Sequence, residues 1–115
     1  MRVIVCGGRD YADWTAISDS LDAIHAERPI TQVITGDARG ADTLAGMWAM
    51  SKNVKLARYP AKWVSYGRSS GPIRNAEMLA KERPDEVIAF PGGKGTADMV
   101  RQARAAGVPV REIVA

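Results

Sequence analysis

The residues best suited to chemistry stand in four short clusters. The densest is Pro91-Gly92-Gly93-Lys94-Gly95-Thr96. Gly92, Gly93 and Gly95 allow a backbone to approach an anion closely and to adopt positive φ. Thr96 offers a hydroxyl and a cap for a following helix, and Lys94 adds a point charge. Backbone N–H groups and a helix dipole at such a loop favour phosphate. A tight turn also needs glycine, but three glycines with Lys and Thr exceed what a turn requires. The string is not a Walker A loop, whose Lys-Ser/Thr pair follows a longer spacing.

The second cluster, Gly36-Asp37-Ala38-Arg39-Gly40-Ala41-Asp42, also opens a helical pattern. Asp42 suits a ribose hydroxyl or, equally, capping of backbone amides. The third, Gly7-Gly8-Arg9, lacks the full Gly-x-Gly-x-x-Gly fingerprint, yet Arg9 stands where a phosphate could meet it. Asp10 reads as the partner of Arg9 rather than as a catalytic carboxylate. The fourth holds Arg74 and Asn75 at the start of a helix. Arg74 suits a carboxylate or phosphate, or else is a solvated helix end. Trp63 and Tyr66 could stack on a base, but packing of their long loop against the core is the favoured reading. Cys6 follows a buried strand and has no base partner, so it reads as a small core residue. His25 reads as a surface helix residue. One Cys and one His make a zinc site improbable, and neither a metal nor a cofactor is expected.

These clusters need elements to hold them. Val3-Ile4-Val5-Cys6 is continuously apolar, as in a strand buried on both faces. Asp13 can cap a helix with Trp14, Ile17, Leu21 and Ile24 on one stripe, ending near Pro29. A second strand runs from Thr31 to Thr35. A helix from Ala41 then carries Leu44, Ala45, Trp48 and Ala49 along one side. Val54 to Arg58 is a third, more exposed strand, and residues 59–71 form the longest irregular stretch. Pro72 fits the first turn of a helix whose inward residues are Ile73, Ala76, Leu79 and Ala80, stopping near Pro84. Val87 to Phe90 is a fourth strand. From Thr96 to Ala106 a helix turns Met99, Val100, Ala103 and Ala106 inward, with Gly107 as its C-cap. Val108 to Val114 is a fifth strand, placed at an edge by Pro109.

Alternating strands and helices imply an α/β fold: a single Rossmann-like domain over residues 1–115. Its five-stranded parallel sheet has the expected order 3-2-1-4-5, with helices on both faces. Ligands bind such sheets beyond the carboxyl ends of the strands, near the point where strand order reverses. The loops after the strands hold all four clusters, so topology alone collects them at one edge.

The chain has 115 residues, which suits one domain with a real core. Its single cysteine excludes an intramolecular disulfide. With no leader pattern at the N-terminus and no apolar run long enough for a bilayer, a cytoplasmic location and no membrane partner are expected. Net charge is +3, and eleven of the 16 basic residues are arginine. That mild excess does not announce nucleic acid. Arginine's planar fork suits phosphate, although codon bias is the better account of most surface arginines.

In order, the clusters resemble the SLOG superfamily, which unites DprA-type DNA-processing proteins, LOG-type phosphoribohydrolases and small YpsA/YspA-like proteins. The match is closest to the YspA-like group. Its marks are Cys6 to Tyr11, Thr35 to Asp42, Gly71-Pro72-Ile73-Arg74-Asn75 with Met78, and Ala89 to Thr96. The resemblance implies a Rossmann-like fold that binds a nucleotide-derived small molecule, often as a homo-oligomer. Gly7, Gly8, Arg9, Gly36, Asp37, Arg39, Gly40, Asp42, Arg74, Asn75 and Pro91 to Thr96 are the expected ligand-binding residues.

LOG-type enzymes cleave the N-glycosidic bond of a nucleoside monophosphate, and their motif reads Pro-Gly-Gly-x-Gly-Thr-x-x-Glu. Here Met99 holds the Glu position, while Arg74 matches the family arginine. Asp98, one residue away on a helix, is expected to face elsewhere. Three functions follow in order of preference. The first is binding or sensing of a nucleotide-derived ligand. The second is phosphoribohydrolase activity with Arg74 and a displaced acid (Asp37, Asp42 or Asp98, with Asp42 preferred). The third is DprA-like contact with single-stranded DNA, against which the acids on the same loops argue.

Overall fold

The computed structural model describes residues 1–114, with the backbone alone at Val64. Strand β1 (Arg2–Cys6) lies at the centre of a sheet of five parallel strands. It pairs with β2 (Gln32–Thr35) on one side and β4 (Glu86–Ala89) on the other. Beyond β2 comes β3 (Lys55–Arg58), and beyond β4 comes β5 (Val110–Glu112), giving the order 3-2-1-4-5. Both edges read from the sequence, the exposed third strand and the Pro109 strand, are edges here.

Alternate residues of β1 point to opposite faces. Val3 and Val5 join Ile17, Leu21 and Ile24 of α1 (Trp14–Glu27) and Ala45, Trp48 and Ala49 of α2 (Ala41–Ser51) in one core. Ile4 and Cys6 join Met78 of α4 (Ser70–Glu82) and Met99, Val100 and Ala103 of α5 (Lys94–Ala105) in the other. Each Val, Leu, Ile or Met among them contributes roughly 1.5–3 kcal/mol by leaving water. Asp13 caps α1 by accepting the Ala16 N–H at 3.0 Å. The Trp48 indole donates to Asp22 at 2.9 Å, which lets a large polar-tipped ring be fully buried.

Several local expectations are corrected. Residues 59–71 are not wholly irregular: α3 (Trp63–Tyr66) and a 3-10 turn (Gly67–Ser69) lead straight into α4. The inward face of α4 is Gly71, Asn75 and Met78, while Ile73, Ala76 and Ala80 are exposed. Ala106 is likewise exposed. Helix α5 begins at Lys94 with Gly93 as its N-cap, so Thr96 sits within the first turn and does not cap it. His25 is half-buried, edge-on to Trp48, and its Nδ1 accepts the Ile30 N–H at 2.8 Å. It closes the turn into β2. No helix among the described residues is long and apolar enough to cross a membrane.

Candidate functional site

Strand order reverses between β1 and β4, and the loops that follow them part there. A cleft of about 860 Å³ opens at this point. Its walls are the loop after β1, the start of α2, the start of α4 with Trp63, and the turn from β4 into α5.

The β4–α5 loop is built for close contact. Gly8 N–H donates to Pro91 O at 2.8 Å, tying it to the loop after β1. A side chain on Gly92 would strike Thr96 Oγ1 at 2.2 Å and Gly8 N at 2.7 Å. Gly93 and Gly95 differ: a Cβ on either would meet nothing within 4 Å. Both line the cleft, with Lys94 and Thr96 beside them. The first-turn N–H groups of α5 have no partner within the helix, so they offer donors to whatever enters. None of the three glycines adopts positive φ. Their role is space, as expected for close approach, and the positive φ expected beside it is absent.

Other glycines serve the packing of loop on loop. Gly40 has φ +80°, and a Cβ there would lie 2.2 Å from Gly8 O and 2.5 Å from Arg9 O. Gly7 fits against the Ala41 side chain. Gly36 leaves room for the Arg74 guanidinium, whose Nη1 donates to Gly36 O at 2.7 Å. Arg74 lies in the second turn of α4, not at its start, and it lines the cleft. Its Nε donates to Asn75 Oδ1 at 3.0 Å. Asn75 Nδ2 donates in turn to Asp98 Oδ2 at 3.0 Å and Gly95 O at 3.3 Å. A chain of bonds thus joins α5 to the Arg74 fork. Burial pulls the Arg74 pKa down from its ordinary value, and Asp42 pulls it back. The group stays charged at any physiological pH.

Two acids reach the cleft at depth. Asp42 is 7 % exposed and accepts the Ala38 N–H at 3.2 Å. Burial pushes its pKa up to about 6, against the Ala38 bond and the positive Arg74, which lower it. Asp98, also 7 % exposed, lines the cleft, against the expectation that it faces elsewhere. It stands one turn beyond Gly95, and that i, i+3 spacing is the signal that could have found it. Its oxygens accept from Asn75, Gln102 and Arg101. Met99, at the family's Glu position, is 1 % exposed and packs in the core below.

Three expected residues stand outside the lining. Asp37 has φ +57° and pairs with Arg58 at 3.6 Å. Arg39 turns to Asp10 at 3.8 Å, so Asp10 is not the partner of Arg9. Gly40 lies beneath the loop after β1. Arg9 instead lies over the Trp63 ring, with Cζ 5.2 Å from its centroid. Trp63 is 49 % exposed and Tyr66 48 %, so neither packs the loop against the core. Tyr66 borders a separate hollow with Tyr59 and Ile73. Cys6 is a buried core residue at the cleft floor, its thiol pushed up to about 12 by burial first and by Asp42 next.

A family model described as the YspA, cpYpsA-related SLOG family matches residues 1–66. The gene 61 protein of Mycobacterium phage D29 is 37 % identical over 117 residues, covering 95 % of this chain and 93 % of the phage protein.

Proposed function

Because the chain belongs to the YspA, cpYpsA-related SLOG family, we propose that its cleft binds a nucleotide or another phosphorylated, nucleotide-derived small molecule. The observation that carries this reading is the open space above Gly93 and Gly95 at the first turn of α5, in a cleft that Arg74 also lines. Free N–H donors, a helix dipole and a fixed guanidinium then converge on one anionic group. The glycines, Lys94 and Thr96 hold the phosphate, Arg74 neutralises it, and Asn75 orients Arg74. Binding without turnover is the primary reading, with a homo-oligomer as the expected assembly. Thermal melts with AMP and ADP-ribose test it: a raised midpoint is expected, and no shift with either removes its main support.

One observation favours hydrolysis as a second reading. Asp42 is a buried acid in the cleft beside Arg74, its pKa pushed up to about 6 by burial. Asp98 is fully engaged by neighbours and Asp37 is paired outside the cleft, which leaves Asp42 as the acid for a LOG-type cleavage of the N-glycosidic bond. Incubation with AMP should then release adenine. No adenine above an enzyme-free control sinks this reading and leaves the first intact.

A further inference from the structure

We infer that the ligand carries an aromatic base, held against the cation–π pair of Arg9 and Trp63, and that this pair sets preference for a nucleotide over a bare sugar phosphate. The inference rests on the phosphate-cradle reading and adds the chemistry of the ligand's other end.

Trp63 is an anomaly that packing does not explain. Tryptophan is highly buried on average, yet here half of it is exposed on a single turn of helix, α3. It neither fills the core nor borders the neighbouring hollow. It lines the cleft, with its ring edge near Gly71 at the start of α4. Arg9 reaches it from the loop after β1, so two elements remote in sequence meet in one cation–π pair. Planar guanidinium and indole groups are surfaces on which a base stacks without needing a particular hydrogen-bond pattern.

The size of the cleft agrees. At about 860 Å³ it lies high in the range of small-molecule sites, and a ribose phosphate alone would leave much of it filled with water. Anchoring the phosphate at Gly93 and Gly95 leaves the remainder of the molecule to the rest of the cleft, whose lining includes Trp63.

Calorimetric titration of AMP and of ribose 5-phosphate into wild type, Trp63→Ala and Trp63→Phe tests the pair. In wild type, AMP should bind at least about fivefold tighter than ribose 5-phosphate. That ratio should collapse toward one in Trp63→Ala and be largely kept in Trp63→Phe, whose ring still stacks. Equal affinities in wild type, or an unchanged ratio in Trp63→Ala, overturn the inference while leaving the phosphate cradle standing. Binding of neither ligand overturns both.

Discussion

At the scale of single residues, glycines of similar appearance do different work. Gly36 faces the flexible end of Arg74, and a methyl group added there would lie 2.2 Å from Nη1. Gly36→Ala should therefore displace the guanidinium rather than the fold. Phosphate affinity is expected to fall on the order of tenfold or more, with little change in melting. Gly40→Ala meets two backbone oxygens and a φ of +80°, and should cost about 2 kcal/mol or more. Denaturant melts of both variants check this, and equal stability losses contradict it. Asp42 gives a pH signature. Its folded pKa is about 6 against an ordinary 3.8, so the native state keeps a proton that the unfolded chain releases between those values. Stability then falls as pH rises through that window, by up to about 3 kcal/mol. Asp42→Asn should raise the midpoint at pH 7.5 and leave it unchanged at pH 4; midpoints that drop equally at both contradict the assignment. Residue types announce the clusters, but not which glycine opens onto the cleft and which serves Arg74 or Gly8. That distinction arises between loops separated by dozens of residues, where no local pattern records it.

At the scale of elements, the strands and α1 are legible because their burial is simple. Val3 to Cys6 is buried on both faces, so its sequence is uniformly apolar, and α1 buries one clean stripe. Helix α4 misleads because its inner face is Gly71, Asn75 and Met78. A face that closes a polar cleft must carry polar and small residues, and the apolar stripe of Ile73, Ala76 and Ala80 then points outward. Met78→Ala should cost about 2–5 kcal/mol, whereas Ile73→Lys should change the stability of the monomer by less than about 0.5 kcal/mol. Urea unfolding distinguishes them, and the reverse ranking would place the core on the wrong side of α4. Asp98 escapes a sequence reading for a related reason: its facing is set by Gly95, one turn before it, and not by its neighbour Met99.

For the whole molecule, the parallel order 3-2-1-4-5 follows from alternation and right-handed crossovers, and it decides where a ligand goes before any side chain is considered. The reversal between β1 and β4 brings together Arg9, Asp42, Arg74 and the Gly93–Thr96 turn, although they span most of the chain. What topology leaves undetermined is the depth and facing of each side chain, hence the departure of Asp37 and Arg39 from the site and the arrival of Asp98 and Trp63. The central claim is that a phosphate rests on the first turn of α5. Amide chemical shifts of the uniformly ¹⁵N-labelled protein, followed during titration with AMP, test it most directly. The Gly93, Lys94, Gly95 and Thr96 N–H signals should move furthest and saturate together. Saturable shifts that spare these four amides, or no shifts at millimolar AMP, would contradict the account.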